Sequence, residues 1–203
     1  LVQEISKHRD ENGRNISSQE LAYSLLFLED IDELGSRGSV ENIRGFDRRM
    51  VREYFERFFV PQNMVISLAG SFDLEEIVRQ LSDSLGSLSD RERPPKILSG
   101  EVTERRARAF YRRTERMPVV EVDLSHHAYS LADERFGAMT AASHILGGGL
   151  SSRLFTRVRE ERGLVYQIQS QPVVYSDAGS VDVFFSVDDT NLVAACEAVL
   201  EVL

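Results

Sequence analysis

The chain has 203 residues, of which 42% are hydrophobic and 28% are charged, values ordinary for a globular protein of one large domain or two modest ones. Its formal net charge of −9 argues against nucleic-acid binding, because phosphates require a dense surface of lysine and arginine. No apolar run reaches the length of a membrane span, so we expect no transmembrane helix. The acidic charge fits a solvated surface or a preference for cationic peptides.

Helices dominate the predictions at the start of the chain. The first residues have the pattern of the tail of an element, and Ser17 and Glu20 have the spacing of a capping box. Asp47 is suited to begin the next helix, because its carboxylate can accept hydrogen bonds from the first free amides. Pro61 cannot continue that helix. The apolar stripe expected along it consists of Val51, Tyr54, Phe55 and Phe58.

A strand, a further helix and a linker follow. Residues 64–69 form an apolar run of strand length, and Asp73 is expected to cap the helix that comes after it. The predicted buried face of that helix consists of Ile77, Val78, Leu81 and Leu85. The polar stretch at residues 86–100 includes the pair Pro94-Pro95, which favours an extended spacer. We therefore expect a first domain over residues 1–90, a linker over 91–100 and a second domain over 101–203.

Two strands and then two helices are predicted next along the chain. Strands are predicted at residues 107–113 and 119–124, and a helix is predicted to open at Asp133 or Glu134 and to stop at Gly147. The side chains that this helix is expected to pack are Phe136, Met139 and Ile145. A further helix is predicted to end at Gly163, and its apolar residues are Leu154, Phe155 and Val158.

The last predicted elements are a hairpin and a helix. The strands of the hairpin cover residues 165–175 and 180–187, with the turn-rich tetrapeptide 176–179 between them. An amphipathic helix runs from Asn191 to Leu203 without a terminating signal, so we expect the chain to be an internal piece of a longer protein. Helices mixed with hairpin-like strands predict an α+β fold in which antiparallel sheets are packed with helices.

No self-sufficient chemical site is evident in the sequence. The glycines at 147–149 lack the lysine and hydroxyl residue of a phosphate-binding loop, and no Gly-x-Ser-x-Gly motif is present. No two histidines have the spacing of metal ligands on a helix; they are His8, His126, His127 and His144. Cys196 is the single cysteine and is expected to be a small core residue, with a reactive thiol as the other interpretation.

One stretch is far more specific. Residues 145–168 (ILGGGLSSRLFTRVREERGLVYQI) closely resemble the second-domain signature of insulinase/pitrilysin-type peptidases, which include the mitochondrial processing peptidase. Residues 54–73 (YFERFFVPQNMVISLAGSFD) resemble the strand region that closes the first domain of this family, and residues 38–46 (GSVENIRGF) resemble the loop before it. Residues 1–10 (LVQEISKHRD) match a first-domain helix more weakly. The resemblance implies a fold like that of LuxS and the mitochondrial processing peptidase.

The resemblance also implies a zinc cofactor. In such peptidases two histidines of an inverted H-x-x-E-H motif and a later glutamate hold the zinc, and the glutamate of the motif activates the bound water. That motif would lie upstream of Leu1, so this piece is expected to bind no zinc and to be inactive alone. Glu4 matches the position of the later glutamate ligand, and a solvated helix charge is the alternative for it.

Arg159 and Tyr166 match the arginine and tyrosine that the second domain of the family contributes. A guanidinium and a phenol are both donors, able to orient a peptide carbonyl and to stabilise the oxyanion that forms when water attacks it. A surface arginine and a half-buried strand tyrosine are the alternative. Arg162 is interpreted as a solvated charge at a helix end. The chain departs from the residues usual in the family at Glu121 and at Ser125-His126, in the strand before the long helix.

We therefore expect the full-length protein to be a zinc metalloendopeptidase that cleaves peptides or unfolded segments. Its second domain would bind substrate, and its first would hold the metal. The alternative from another class is a non-catalytic partner or core subunit of the same family, acting with a second copy or a related subunit. A plain interaction module is a third option. The sequence does not fix the compartment, and the cytoplasm is favoured over the periplasm.

Overall fold

The computed structural model describes residues 2–27, 38–88, 91–95 and 119–203. The chain divides into two compact units, one formed by Leu1–Ile43 with Leu98–Leu203 and the other by Arg44–Ile97. The predicted strand at 107–113 lies outside the described residues, as does much of the predicted linker. The division into domains at 1–90, 91–100 and 101–203 stays a prediction. No helix in the described ranges combines the length and the apolar character needed to cross a bilayer.

The first unit is built on an antiparallel sheet of three strands. Its strands are β1 (Val120–His127), β2 (Gln167–Val174) and β3 (Gly179–Val187), in the spatial order β1-β3-β2. The predicted hairpin is confirmed, because Tyr175 N donates to Ala178 O at 2.8 Å and closes the turn between β2 and β3. The α+β class and the antiparallel pairing expected from the sequence are both present.

One face of this sheet carries the core. Val183, Phe185 and Val187 alternate along β3 and are fully buried, because successive side chains of a strand point to opposite faces of the sheet. Helix α7 (Leu192–Val202) covers them with small side chains, and a π-helix at Phe155–Glu160 adds Val158. The remaining members of this buried cluster are Leu154, Val165, Ile168, Ala195, Ala198 and Val199. The predicted helix before Gly163 is therefore wound as a π-helix, with Glu161 N donating to Thr156 O at 2.9 Å.

Helix α6 (Phe136–Gly147) packs on β2. Its buried residues are Met139, Ser143 and Gly147, spaced four apart on one face. The prediction that Ile145 packs inward is wrong: its side chain is exposed, because it projects about 200° around the helix from Ser143. The hydroxyls of Ser143 and Ser170 lie 2.9 Å apart and join α6 to β2.

The opposite face of the sheet is polar, and α2 (Ser18–Phe27) lies on it beside β1. Upstream of it, α1 (Val2–Lys7) leads into a turn in which buried Asp10 accepts hydrogen bonds from the amides of Asn12 and Arg14. The predicted capping box is half confirmed. Ser17 Oγ accepts from Glu20 N at 3.4 Å, but Ser17 N donates to Asn15 instead of to Glu20.

Helix α3 (Val40–Gly45) leads into the second unit, which contains α4 (Arg48–Phe58) and α5 (Leu74–Leu85). Both predicted caps are confirmed. Asp47 accepts from Met50 N at 2.7 Å, and Asp73 accepts from Glu76 N at 3.0 Å. A short 3₁₀ turn at Pro61–Asn63 follows α4.

Two predictions for this unit are wrong. Residues 64–69 form no strand, because no strand is present among the described residues 44–95 to bond their backbone groups, and Val65 is 93% exposed. The apolar stripe predicted along α4 is present, and Val51, Tyr54 and Phe55 within it are exposed. Its aromatic rings stack along the helix, with the ring centroids of Phe55 and Phe59 4.4 Å apart. Val78 of α5, which was predicted to be buried, is exposed.

Candidate functional site

Glu4 lies on α1 with its side chain exposed. Its Oε1 accepts from Lys7 Nζ at 2.8 Å, one helical turn further along. No group of three or more histidine, cysteine, aspartate or glutamate side chains with metal-binding geometry occurs among the residues that the structure describes. These residues therefore do not fit a zinc centre by themselves, and Glu4 could supply a single carboxylate ligand at most.

Arg159 is exposed on the π-helix. Its guanidinium carbon lies 4.7 Å from the ring centroid of Phe155, a cation–π contact that steadies the side chain without using its N–H groups. The guanidinium donates no hydrogen bond within the described ranges. Neighbouring Arg162 differs, because it pairs with Glu201 of α7. Arg162 is exposed, as expected for a solvated charge near a helix end, and its ion pair with Glu201 joins the turn after the π-helix to α7.

Tyr166 stands directly before β2, and 55% of its surface is exposed. Its backbone N donates to Ser186 O at 2.9 Å, which continues the ladder between β2 and β3 by one residue. Its phenol donates to Asp188 Oδ2 at 2.7 Å. This hydrogen bond, with smaller contributions from desolvation and from the negative charge of Asp188, raises the pKa of Tyr166.

The turn at Gly163 connects these two side chains. Gly163 adopts a left-handed φ of +61°, and its N donates to Arg159 O at 3.0 Å. Buried Val158 precedes Arg159, and buried Val165 precedes Tyr166. Arg159 and Tyr166 therefore each follow a buried core residue, one on either side of the turn at Gly163. The π-helix that carries Arg159 packs against β2. The arrangement presents a guanidinium and a phenol to solvent from a rigid base.

Asp188 is the residue that sequence reasoning missed. It follows β3 within an acidic pair, which by itself is typical of a solvated turn. Only the register reveals its role: Gln167 pairs with Ser186, so the residue before β2 and the residues after β3 meet at one end of the sheet. The first strand of the hairpin was predicted to begin at residue 165, two residues before the observed start at Gln167, so the sequence did not give that register.

The polar face of the sheet holds a second group of titratable side chains. Asp182 is 1% exposed, and its Oδ2 accepts from the phenol of Tyr23 at 2.7 Å. Burial, and then the charge of Asp182, raises the pKa of Asp123 to about 6. Burial and the bond to Asp182 also raise the pKa of Tyr23. Glu121, one of the positions that depart from the family, accepts from Ser18 Oγ of α2 at 3.5 Å.

Comparison with known proteins gives the family. The model described as "Peptidase M16 inactive domain" matches residues 45–203. An uncharacterized zinc protease of Streptomyces coelicolor is 32% identical over 154 residues, which are 72% of this chain and 33% of that protein. One of Mycobacterium leprae is 28% identical over 169 residues, which are 82% of this chain and 38% of the relative. The chain thus spans well under half the length of these relatives.

Solved structures agree on the fold. The peptidase M16 inactive domain from Pseudomonas fluorescens superimposes with a TM-score of 0.78 at 17% identity, covering 99% of this chain and 48% of that one. A chain of the complex III2 structure from Candida albicans gives a TM-score of 0.68 at 18% identity, covering 93% and 45%. Because the family model matches most of its residues, the chain belongs to the M16 peptidase family and contains its inactive domain.

Proposed function

We propose that the full-length protein is a zinc-dependent endopeptidase acting on peptides or unfolded segments, and that this chain supplies groups that face the substrate. The observation that carries the proposal is the mounting of Arg159 and Tyr166, both exposed, on either side of the Gly163 reversal. The zinc-protease names of the relatives support the reaction class.

The two donors would act on a peptide carbonyl. The guanidinium of Arg159 is a planar cation whose N–H groups are available to a carbonyl oxygen. Donors placed where negative charge develops on the carbonyl oxygen stabilise the transition state more than the ground state. Tyr166 would add a second, neutral donor once its proton is directed toward the substrate.

Zinc would require ligands from outside the described residues. Glu4 would contribute one carboxylate oxygen, after exchanging its exposed contact with Lys7 for the metal. Such a contact between two exposed side chains is weak, so this exchange is inexpensive. When bound, zinc would supply a polarised water for attack on the peptide bond. The isolated 203-residue chain is expected to show no peptidase activity.

The sheet offers a way to hold an extended peptide. Among the strands that the structure describes, β2 lies at one edge of the order β1-β3-β2, and Tyr166 stands directly before it. A peptide that adds to this edge would gain main-chain hydrogen bonds with little demand on sequence. It would run past Tyr166 and bring its carbonyl groups toward the reversal at Gly163.

Measurements on the full-length protein test this function. Arg159→Ala and Tyr166→Phe should each lower kcat for peptide hydrolysis by about a hundredfold to a thousandfold, the range for removing a transition-state donor. The zinc content should be unchanged, whereas Glu4→Gln should lower it. Asp189→Asn is a matched surface control and should behave as wild type. Loss of zinc in the Arg159 or Tyr166 variant would contradict the assigned roles.

A non-catalytic core subunit is the second candidate. Two observations favour it: the fold likeness to a chain of complex III2, and the exposed apolar residues of the second unit, among them Val51, Tyr54, Phe55 and Val65. A full-length protein that holds no zinc, cleaves no peptide and co-purifies with a related subunit would establish this function instead.

A further inference from the structure

The hydrogen bond between Tyr166 and Asp188 limits what the phenol can do. A phenol has a single O–H proton, and at 2.7 Å that proton is donated to the Asp188 carboxylate. Hydrogen bonds to an ionised acceptor are stronger than those between neutral groups. A substrate carbonyl therefore cannot receive the Tyr166 proton until it displaces Asp188.

The backbone fixes both partners. Val165 and Val187 are buried, and the bond from Tyr166 N to Ser186 O ties the start of β2 to the end of β3. On the other side, Asn191 N donates to Asp188 O at 2.9 Å within the turn that opens α7. The carboxylate and the phenol thus meet because the sheet register places them together.

The pair is also accessible. Tyr166 is 55% exposed and Asp188 is exposed, so an incoming peptide can reach the phenol without any rearrangement of the core. A contact between exposed groups is weak enough to be exchanged. The Tyr166 phenol therefore has a defined hydrogen-bond partner before substrate binds, and it is accessible to an incoming peptide.

We propose that Asp188 is a positioning residue of this site, which holds the Tyr166 phenol at rest and competes with the substrate carbonyl for its proton. The proposal rests on the proposed function of Tyr166 as a donor that faces the substrate. In this role Asp188 controls how readily the Tyr166 phenol becomes available to donate to a substrate carbonyl. Removing the competitor should therefore favour peptide binding.

The test uses the full-length protein stripped of zinc by a chelator, so that bound peptide is not cleaved. Fluorescein-labelled tryptic peptides of casein serve as the probe, and fluorescence anisotropy gives their affinity. Asp188→Asn, which keeps the size of the side chain and removes its charge, should raise the affinity by about threefold to tenfold. The same change in a Tyr166→Phe background should have no effect. The matched control Asp189→Asn removes an equal charge one residue away and should bind as wild type does.

A second readout follows the phenol itself. Spectrophotometric titration of tyrosinate should show that Asp188→Asn lowers the pKa of one tyrosine, and that this change disappears in the Tyr166→Phe background. A lowered pKa with unchanged or weaker peptide affinity would overturn the competition, as would failure of every variant to bind the probe. If Asp188→Asn tightens binding only when Tyr166 is present, but zinc-loaded protein cleaves nothing, the proposed peptidase function fails and the positioning role stands.

Discussion

Tyr23 and Asp182 are joined by a 2.7 Å hydrogen bond across 159 positions of sequence. Asp182 is buried in β3, and within the described ranges its second carboxylate oxygen has no partner. A buried carboxylate with a single hydrogen bond depends strongly on that bond, since its desolvation is otherwise uncompensated. The phenol of Tyr23 therefore ties α2 to the polar face of the sheet.

Tyr23→Phe should lower the free energy of unfolding by about 1–3 kcal/mol, because the buried Asp182 oxygen loses its donor. Urea unfolding followed by circular dichroism measures this loss. Tyr54→Phe is the matched control: its phenol is exposed on α4, and the change should stay within about 0.5 kcal/mol. Equal effects of the two substitutions would show that the bond to Asp182 contributes nothing.

Asp123 makes the stability depend on pH. Its pKa is raised to about 6 in the folded chain, against an ordinary value of 3.8, so the folded state holds its proton more tightly than the unfolded state. The stability contributed by protonated Asp123 is present below pH 4 and is lost as the pH rises through 6. Asp123→Asn should remove this loss and stabilise the chain at pH 7.5 by about 1–3 kcal/mol, with allowance for partial exposure.

Unfolding in urea at pH 4.5 and at pH 7.5 checks the sign. The difference in stability between Asp123→Asn and wild type should be small at the lower pH and larger at the higher one. Asp189→Asn, which removes an exposed carboxylate, serves as the control. A wild-type chain that gains stability relative to Asp123→Asn as the pH rises would refute the argument.

The sequence was most informative where structure is local. The caps at Asp47 and Asp73 were predicted correctly, because each depends on a carboxylate and an amide three residues away. The strand at residues 64–69 was predicted wrongly, because an apolar run does not show whether another strand pairs with it. The hydrophobic pattern identifies a segment that can form a strand, but a strand forms only where another strand lies beside it and pairs with it.

The candidate site shows the same division. A motif identified Arg159 and Tyr166, and their roles stay predictions. Asp188 was missed because its bond to Tyr166 arises from the pairing of β2 with β3, which a single sequence does not specify to within one residue. Asp182 was likewise not foreseen as buried, since its partner lies on α2 in the distant first part of the chain.

The cap of α5 can be tested without disturbing its packing. Asp73→Ala removes the acceptor for Glu76 N, so amide exchange in the first turn of α5 should become about fivefold faster. Asp73→Asn keeps a side-chain oxygen at the same place and should exchange nearly as slowly as wild type. Hydrogen exchange read by NMR distinguishes the two. Faster exchange in both variants would mean that charge, rather than the cap, protects this turn.

Gly147 and Gly149 provide the sharpest test of the packing between α6 and β2. A Cβ atom at Gly147 would overlap Ser170 N and lie 2.7 Å from Ser170 Cβ, whereas one at Gly149 would meet nothing within 4 Å. Because the backbone of β2 is held in the sheet, Gly147→Ala must push the helix away and should cost about 1–3 kcal/mol or more.

Gly149→Ala should be neutral or slightly stabilising, since alanine reduces the freedom of the unfolded chain without meeting any atom. Urea unfolding of the two variants under the same conditions measures the difference in their free energies of unfolding. The sequence alone does not distinguish these two glycines, which are two residues apart. Displacing α6 would also separate the hydroxyls of Ser143 and Ser170, so amide exchange along β2 should accelerate in Gly147→Ala only. Equal stability of the two variants would show that α6 does not approach β2 as closely as the structure has it.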